Sequence, residues 1–579
     1  MNNPSFYRSH LNGQLRLRHV GETVKLVGWV QRKRNLGSLI FLDLRDYSGI
    51  VQLMLDEKQQ FADVKHEYLI QVEGIVSRKD VPNPALATGD IEIKVQRLHI
   101  LNTSDVSPLI IDDVTDAGED IRLKHRYLDL RRQPMQQTIR IRSKIMNVFH
   151  RFFEKHQFVN IETPLLTLST PGGARDFLVP SRIHAGSFYA LPQSPQIYKQ
   201  LLMIGGFDRY YQIARCFRDE DLRADRQPDF TQIDVEASFL TQDEFLHLME
   251  EAIAEVFLEV KGMTIARPFV RLTYQEAMES YGSDKPDLRF DLKIQEAPQP
   301  LLDGYQTAGF ACSCTRVLVL PAALSLLTRK VLDEWTTFVK PLGLKGLVLL
   351  KNEQGTLTGS FAKFVQQPTE LFAALSMNEG DVAIAATHED RLQLLAILGL
   401  LRLKAAALLN CVDTSNVAIA WMTDFPLFDK NEQGQLVSAH HPFTRPRDED
   451  IPLLDTHPER VIAQAYDLVI NGYEAGGGSM RIYDQAMQRR IFELLGMDDQ
   501  AIERKFGWFI QAFHYGTPPH GGVAFGLDRL TMILTGTDNI KDVIAFPKNL
   551  KMIGLLEGTP SPVEPEQLKD IHVEVKHEK

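Results

Sequence analysis

Three stretches of this chain, far apart in sequence, carry side chains able to hold a nucleoside triphosphate. Residues 209–236 open Arg-Tyr-Tyr-Gln-Ile-Ala-Arg-Cys-Phe-Arg-Asp-Glu and close Gln-Pro-Asp-Phe-Thr-Gln-Ile-Asp-Val-Glu, which reads as strand, charged loop, strand. In such a hairpin Arg218 can grip a phosphate with two N–H groups, Glu220 can accept from the exocyclic amine of a base, and Phe230 can stack on that base. Residues 521–535, Gly-Gly-Val-Ala-Phe-Gly-Leu-Asp-Arg-Leu-Thr-Met-Ile-Leu-Thr, read as a glycine-flanked strand entering an amphipathic helix. Arg529 then sits in the first helical turn, where a cation opposes the helix dipole and is tolerated if a polyphosphate lies between them. In residues 467–481, Asp467 and Glu474 precede a Gly-Gly-Gly run and could bind Mg²⁺ against phosphate oxygens. Arg481 follows, free to meet an anionic side chain. Together these are the parts needed to hold bent ATP and to stabilise attack at its α-phosphorus.

Other chemistries are excluded. The chain has no Gly-x-x-x-x-Gly-Lys-Ser/Thr loop, no His-Glu-x-x-His and no paired Cys-x-x-Cys. Cys312 and Cys314 lack a second pair and are expected to be small buried or edge residues rather than zinc ligands. Four cysteines in 579 residues rule out a disulfide scaffold and suit a reducing cytoplasm. With 44% apolar and 24% charged residues, the chain is neither disordered nor fibrous. The greasiest stretch, 392–409, is interrupted by Arg402 and Lys404, and the start lacks an apolar leader, so no membrane association is expected.

These side chains need elements to position them. The formal charge is −11, yet seven Lys or Arg face one acid in residues 1–34, and nine face Asp129 alone in 122–151. Such blocks suit a local polyanion track. Five short runs rich in Val, Ile and Leu (25–30, 38–44, 50–55, 68–76 and 91–100) are split by turn residues, as in a five-stranded OB-fold barrel for single-stranded nucleic acid. On it Trp29, Phe41 and Gln52 could stack on or read unpaired bases, with Arg34 on phosphate; barrel core is the plainer reading for Trp29. A polar, acidic linker spans 104–120. Ile141, Ile145, Val148, Phe149, Phe152 and Phe153 then predict an amphipathic helix, and 158–166 a strand broken by Pro164. Alternating strands and helices across 288–413 look like a separate α/β insertion, because the chemistry-bearing stretches flank it. From Pro560 the tail is a surface extension.

Residues 158–166, 209–236 and 521–535 resemble motifs 1, 2 and 3 of the class II aminoacyl-tRNA synthetases. Ala174-Arg-Asp-Phe-Leu-Val-Pro-Ser, Leu191-Pro-Gln-Ser-Pro-Gln-Ile-Tyr-Lys, His440-His-Pro-Phe-Thr and Asn471-Gly-Tyr-Glu-Ala-Gly-Gly-Gly are similar to the bacterial-type aspartyl branch almost letter by letter. The resemblance implies an α+β multidomain chain: an OB-fold anticodon-binding domain (1–104), a hinge (105–135), an antiparallel-sheet catalytic domain (136–287 and 414–559), the inserted α/β domain (288–413) and an extension (560–579). It implies that Arg218 contacts the α-phosphate and Arg529 the γ-phosphate, as the catalytic pair. Glu220, Gln227 and Phe230 would hold the adenine end, and Gly526, Leu527 and Asp528 the rest of the ATP site. Asp467 and Glu474 would bind Mg²⁺. Lys199 and Arg481 would clamp the side-chain carboxylate of L-aspartate, with Gly172, Gln196, Arg218, Asp234 and His440 completing the pocket. Arg34, Leu36, Phe41 and Gln52 would meet the anticodon of tRNA(Asp), and motif 1 would form a homodimer.

There are two departures from the pattern. Where the family usually has an acid in Thr-Pro-Glu-Gly-Ala-Arg-Asp, this chain has Gly172. Loss of that partner for the substrate ammonium removes a charge-assisted hydrogen bond of about 1.5 to 3 kcal/mol, so weakened aspartate binding is expected unless Asp234 takes over. The stretch after Lys548, Asn-Leu-Lys-Met-Ile-Gly-Leu-Leu, replaces a usual run of small residues.

Overall fold

Alternating apolar residues close the N-terminal strands into a barrel. The computed structural model describes residues 5–36, 39–56, 63–169, 174–310 and 314–576. Strands β1 (Thr23–Leu36), β2 (Leu39–Asp46), β3 (Gly49–Asp56), β4 (Leu69–Arg78) and β5 (Ile91–Asn102) form a closed barrel in the order β1-β2-β3-β5-β4. Its core is Val24, Leu26, Leu42, Leu44, Leu53, Val72, Ile93 and their neighbours, one face of each strand. β1 runs beyond the predicted 25–30. After a bulge between Val30 and Arg32 it pairs with β2 alone, Arg34 opposite Phe41. Trp29 presents its ring to the Arg131 guanidinium, 4.7 Å from the centroid, so that face is covered.

The barrel belongs to one compact unit, residues 1–143, 221–228 and 537–568. Here the buried Asp129 carboxylate receives Arg122, Arg126 and Arg132. Arg126 also donates to the carbonyls of Ile544 and Ala545, both at 2.9 Å.

The second unit, 144–220, 229–536 and 569–579, contains an eight-stranded sheet. Its strand order is Val270–Thr273, Ile419–Thr423, Ala465–Ile470, Tyr473–Met480, His520–Gly526, Asp229–Ser238, Arg209–Phe217 and Val159–Asn160. Only the two outer strands pair in parallel. One face carries Ile233, Val235, Val523 and Phe525 into the core, where Phe149 of the Gln133–Lys155 helix stacks on Phe525 at 5.9 Å. The strand expected over 158–166 is two residues long. Ile161 still donates to the Tyr211 carbonyl, and the chain then leaves the sheet before Pro164, which has no N–H to donate.

Within this unit the insertion builds its own antiparallel sheet: Ile294–Glu296, Cys314–Leu320, Val382–His388, Val348–Glu353, Thr356–Thr358. The helix Arg391–Leu409 is long and apolar enough to cross a bilayer, but Leu394, Leu395, Leu398 and Leu401 are buried in the insertion's core. Its Arg402 lies 4.0 Å from the Phe290 ring centroid and 4.8 Å from that of Tyr281, and donates to the carbonyls of Asp287 (2.8 Å) and Phe290 (3.0 Å). Burial pulls its pKa down to about 10. At the root of the insertion two main chains touch. A Cβ on Gly282 would stand 2.0 Å from the Leu395 carbonyl oxygen, and one on Gly399 2.4 Å from that of Gly282. Cys314 is half-buried and unpaired, and Cys312 lies outside the described residues. The short helix Pro565–Asp570 near the end buries none of its residues.

Candidate active site

Strand register brings the functional side chains onto one face of the large sheet. Side by side lie Tyr210, Glu236, Gly522 and Ser479; then Gln212, Asp234, Ala524, Gly477 and Asp467; then Ala214, Gln232 and Gly526. The middle of this face is therefore glycine and alanine, a floor almost without side chains, and carboxylates lean over it. A Cβ on Gly522 would meet Glu236 Oε2 at 1.8 Å. One on Gly477 would meet Asp467 Oδ1 at 2.6 Å and Glu474 Oε1 at 3.8 Å.

At one end two cations are sunk out of solvent, Lys199 and Arg481, each 1% exposed. Lys199 Nζ donates to Asp234 Oδ1 (2.6 Å) and lies 3.3 Å from Glu236 Oε2. Arg481 Nε and Nη2 donate to Glu236 Oε1 and Oε2 (2.9 and 3.1 Å), and Nη1 donates to Ser479 Oγ (2.7 Å) and His441 Nε2 (2.5 Å). One of its five N–H groups remains. Burial alone would raise the Glu236 pKa, but Arg481 and Lys199 outweigh it and hold it low. Burial raises that of Asp234. His441 is pushed well below the usual histidine range by burial and then by Arg481. A guanidinium only donates, so Nε2 accepts from Arg481, while Nδ1 receives the Phe443 amide at 3.2 Å and lies 3.3 Å from Thr444 Oγ1. The buried atoms here that lack a protein partner include the acceptor Asp234 Oδ2 and the donor Gln196 Nε2. An unmatched acceptor and an unmatched donor are the groups that the ammonium and carboxylate of a zwitterion would engage.

At the other end of the floor, Gln232 stands opposite both Ala214 and Gly526. Arg218, just past the first strand, and Arg529, just past the last, thus leave the same end of three adjacent strands. The Arg218 guanidinium lies 5.0 Å from the Phe230 ring centroid. Arg529 donates to the Glu474 carbonyl (3.1 Å) and sits 3.7 Å from Glu474 Oε2. Leu527 and Asp528 are buried, and Asp528 Oδ2 accepts from the Thr231 amide at 3.0 Å, pinning this helix start to the hairpin. The Asp467 carboxyl is held well above the usual range by burial and by Glu474. Two carboxylates pressed together over a glycine suit a divalent cation completed by phosphate oxygens. No cluster of three or more His, Cys, Asp or Glu able to hold a metal occurs among the described residues.

A cavity of about 800 Å³ opens over the hairpin end of the site, and Gln193, Gln196, Arg218, Glu220, His440 and His441 line its floor and sides. His440 also makes an edge contact with Phe425 (4.7 Å). Gln227 lies in the other unit, its amide exchanging hydrogen bonds with the Lys548 main chain. Gly172 lies outside the described residues. On the barrel, Arg34 donates to Asp43 (2.9 Å) and Gln52 (3.4 Å), Gln52 donates to Glu92 (3.1 Å), and Leu36 is 64% exposed at the end of β1. Sequence reasoning gave no role to Glu236 or His441. Glu236 stood inside the quoted hairpin, and His441 beside His440, so register parity was the available signal for the first.

The family described as "tRNA synthetases class II (D, K and N)" matches residues 118–550, and "OB-fold nucleic acid binding domain" matches 24–101. The chain belongs to the class II tRNA synthetases. Among similar proteins, the aspartate–tRNA ligase of Lysinibacillus sphaericus is 48% identical over 98% of this chain and 99% of its own length. The aspartate–tRNA(Asp/Asn) ligase of Bacillus cytotoxicus is 46% identical with the same coverage. Within its class this synthetase therefore belongs to the aspartate–tRNA ligase family. Its fold is shared by the aspartyl-tRNA synthetase of Entamoeba histolytica (TM-score 0.57, 20% identity, covering 92% of this chain and 90% of that one). The asparaginyl-tRNA synthetase of Pyrococcus horikoshii complexed with asparaginyl-adenylate shares it too (TM-score 0.57, 19% identity, covering 95% and 97%).

Proposed function

We infer that this synthetase is an aspartate–tRNA ligase, which activates L-aspartate with ATP and transfers the acyl group to the 3′ end of tRNA(Asp). The observation that carries the substrate is the buried pair Lys199 and Arg481 beside the unmatched Asp234 Oδ2 and Gln196 Nε2. The two cations meet the side-chain carboxylate of aspartate, Asp234 Oδ2 accepts from its ammonium, and Gln196 Nε2 donates to its α-carboxylate. A neutral asparagine amide would leave the buried guanidinium short of a charged partner, at a cost of about 3 to 5 kcal/mol.

In the first step the amino-acid carboxylate attacks the α-phosphorus of ATP, the bond to the leaving phosphate breaks, and pyrophosphate departs. Arg218 neutralises charge at the α-phosphate, Arg529 holds the far phosphates, and Glu220 and Phe230 bind the base. The glycine floor lets the nucleotide lie close to the sheet. Asp467 and Glu474 are the residues that would hold Mg²⁺, which would supply charge neutralisation for the polyphosphate. In the second step a ribose hydroxyl of the tRNA attacks the acyl carbonyl and AMP leaves. Arg34, Leu36, Phe41 and Gln52 read the anticodon, residues 158–166 contribute to a homodimer, and the enzyme works in the cytoplasm, which suits the unpaired Cys216, Cys314 and Cys411. ATP–pyrophosphate exchange tests the reading: aspartate should support it, and asparagine and lysine should not. Equal exchange with asparagine overturns the assignment of substrate.

A further inference from the structure

The loop of the nucleotide-holding hairpin, residues 221–228, rests on residues 540–548. The Ile540 amide donates to the Ala224 carbonyl (3.0 Å), and the Gln227 side chain accepts from the Lys548 amide (2.8 Å) while donating to the Lys548 carbonyl (3.0 Å). Between these two anchor points the chain makes one short 3-10 turn and then runs irregularly, so its carbonyls need donors from elsewhere. One buried guanidinium supplies them: Arg126 donates to the carbonyls of Lys541 (2.5 Å), Ile544 (2.9 Å) and Ala545 (2.9 Å). Arg122 adds a tie to the Asp542 carboxylate (2.9 Å). Both arginines are gripped in turn by the fully buried Asp129, with Arg126 Nη1 2.6 Å from Oδ2 and Arg122 Nε 3.1 Å from Oδ1. Burial alone would raise the Asp129 pKa, but its arginine partners outweigh burial and keep it charged. All of these residues belong to the barrel's unit. Barrel packing gives no reason for Arg126 to reach across 419 residues of sequence to Ala545. The hairpin does, because the stretch that Arg126 holds is the one on which the loop between Glu220 and Asp229 is anchored.

We propose that Asp129 is a positioning residue for ATP: by holding Arg122 and Arg126 it fixes residues 540–548, and through Ala224 and Gln227 these fix the loop whose ends carry the base-holding Glu220 and Phe230. The inference rests on the ligase reading above and deepens it. It is tested by ATP–pyrophosphate exchange with each substrate varied in turn, together with calorimetric titration of ATP and Mg²⁺ in the absence of aspartate. Asp129→Asn should raise the KM for ATP about tenfold and weaken ATP binding by a similar factor, while the KM for aspartate stays as it was. A role in stability alone would lower the fraction of active enzyme and leave both KM values unchanged. Removing the carboxylate charge from among three arginines puts the fold itself at risk. Arg122→Gln, at a side chain 21% exposed, is the milder break and should raise the KM for ATP about threefold. Arg122→Lys, which keeps the charge, should recover most of that loss. Both KM values rising together, neither rising, or a KM for ATP that moves without any change in ATP binding overturns the proposal. If the unaltered enzyme shows no aspartate-dependent exchange, the ligase reading fails, and the ATP titration still decides the role of Asp129.

Discussion

The Glu236 carboxylate occupies the space that a side chain at Gly522 would need, 1.8 Å from an ideal Cβ there. The adjacent Val235 carbonyl oxygen, at 2.3 Å from the same point, closes the other way out. Gly522→Ala must therefore push Glu236 away from Arg481. The expected result is a rise in the KM for aspartate of at least about tenfold and a loss of about 1 to 3 kcal/mol in stability. Exchange kinetics and urea unfolding measure both, and an unchanged KM would show that Glu236 does not set the position of Arg481.

Glu236 is the carboxylate against which both substrate-clamping cations rest. Glu236→Gln keeps the shape but leaves buried charge unbalanced, a loss of about 3 to 5 kcal/mol in this setting. Aspartate-dependent exchange should fall by about 100-fold or more, chiefly through KM. A drop confined to kcat would place Glu236 in the chemistry instead of beneath the clamp.

Acid should loosen the fold through His441. Its pKa in the folded protein lies well below the usual value because of burial and Arg481, whereas an unfolded histidine titrates near 6.5. Below about pH 6.5 the unfolded chain takes up a proton that the folded one refuses, so this contribution to stability is complete above that pH and is lost as pH falls. Burial lowers His440 and His520 in the same direction. His441→Gln, whose amide oxygen can accept from Arg481, should remove about one proton from that uptake, or about 1.4 kcal/mol per pH unit of slope. Unfolding free energies at pH 7 and pH 5.5 give the slope. Identical slopes for the two proteins would mean that His441 takes up its proton alike in the folded and unfolded states.

Gly172 should weaken aspartate binding, because Asp234 has only one oxygen to spare, the other being held by Lys199 at 2.6 Å. Restoring the acid with Gly172→Glu is expected to lower the KM for aspartate about tenfold. No change in KM would show that Asp234 Oδ2 suffices alone.

The phosphate-handling hairpin was legible because its chemistry is local: Arg218, Glu220 and Phe230 lie within one strand–loop–strand run. The barrel was legible from its alternation, though the outer half of β1 was missed because its exposed residues carry no apolar signal. The pocket was less so. Glu236 and Arg481 are 245 residues apart, and only pairing through the His520–Gly526 strand brings them together. His441 differs from His440 by one position, and a two-residue ambiguity of direction cannot be resolved without coordinates. The cover over Trp29 is likewise distant, since Arg131 lies beyond the barrel in sequence.

Where Gly282 meets Gly399 there are no side chains to trim or repack, so the base of the insertion has no adjustable joint. Grafting this insertion onto another synthetase would require glycine on both sides of the seam at once. A chimera carrying only one of the two should fail to seat it, however well the transplanted sheet folds by itself.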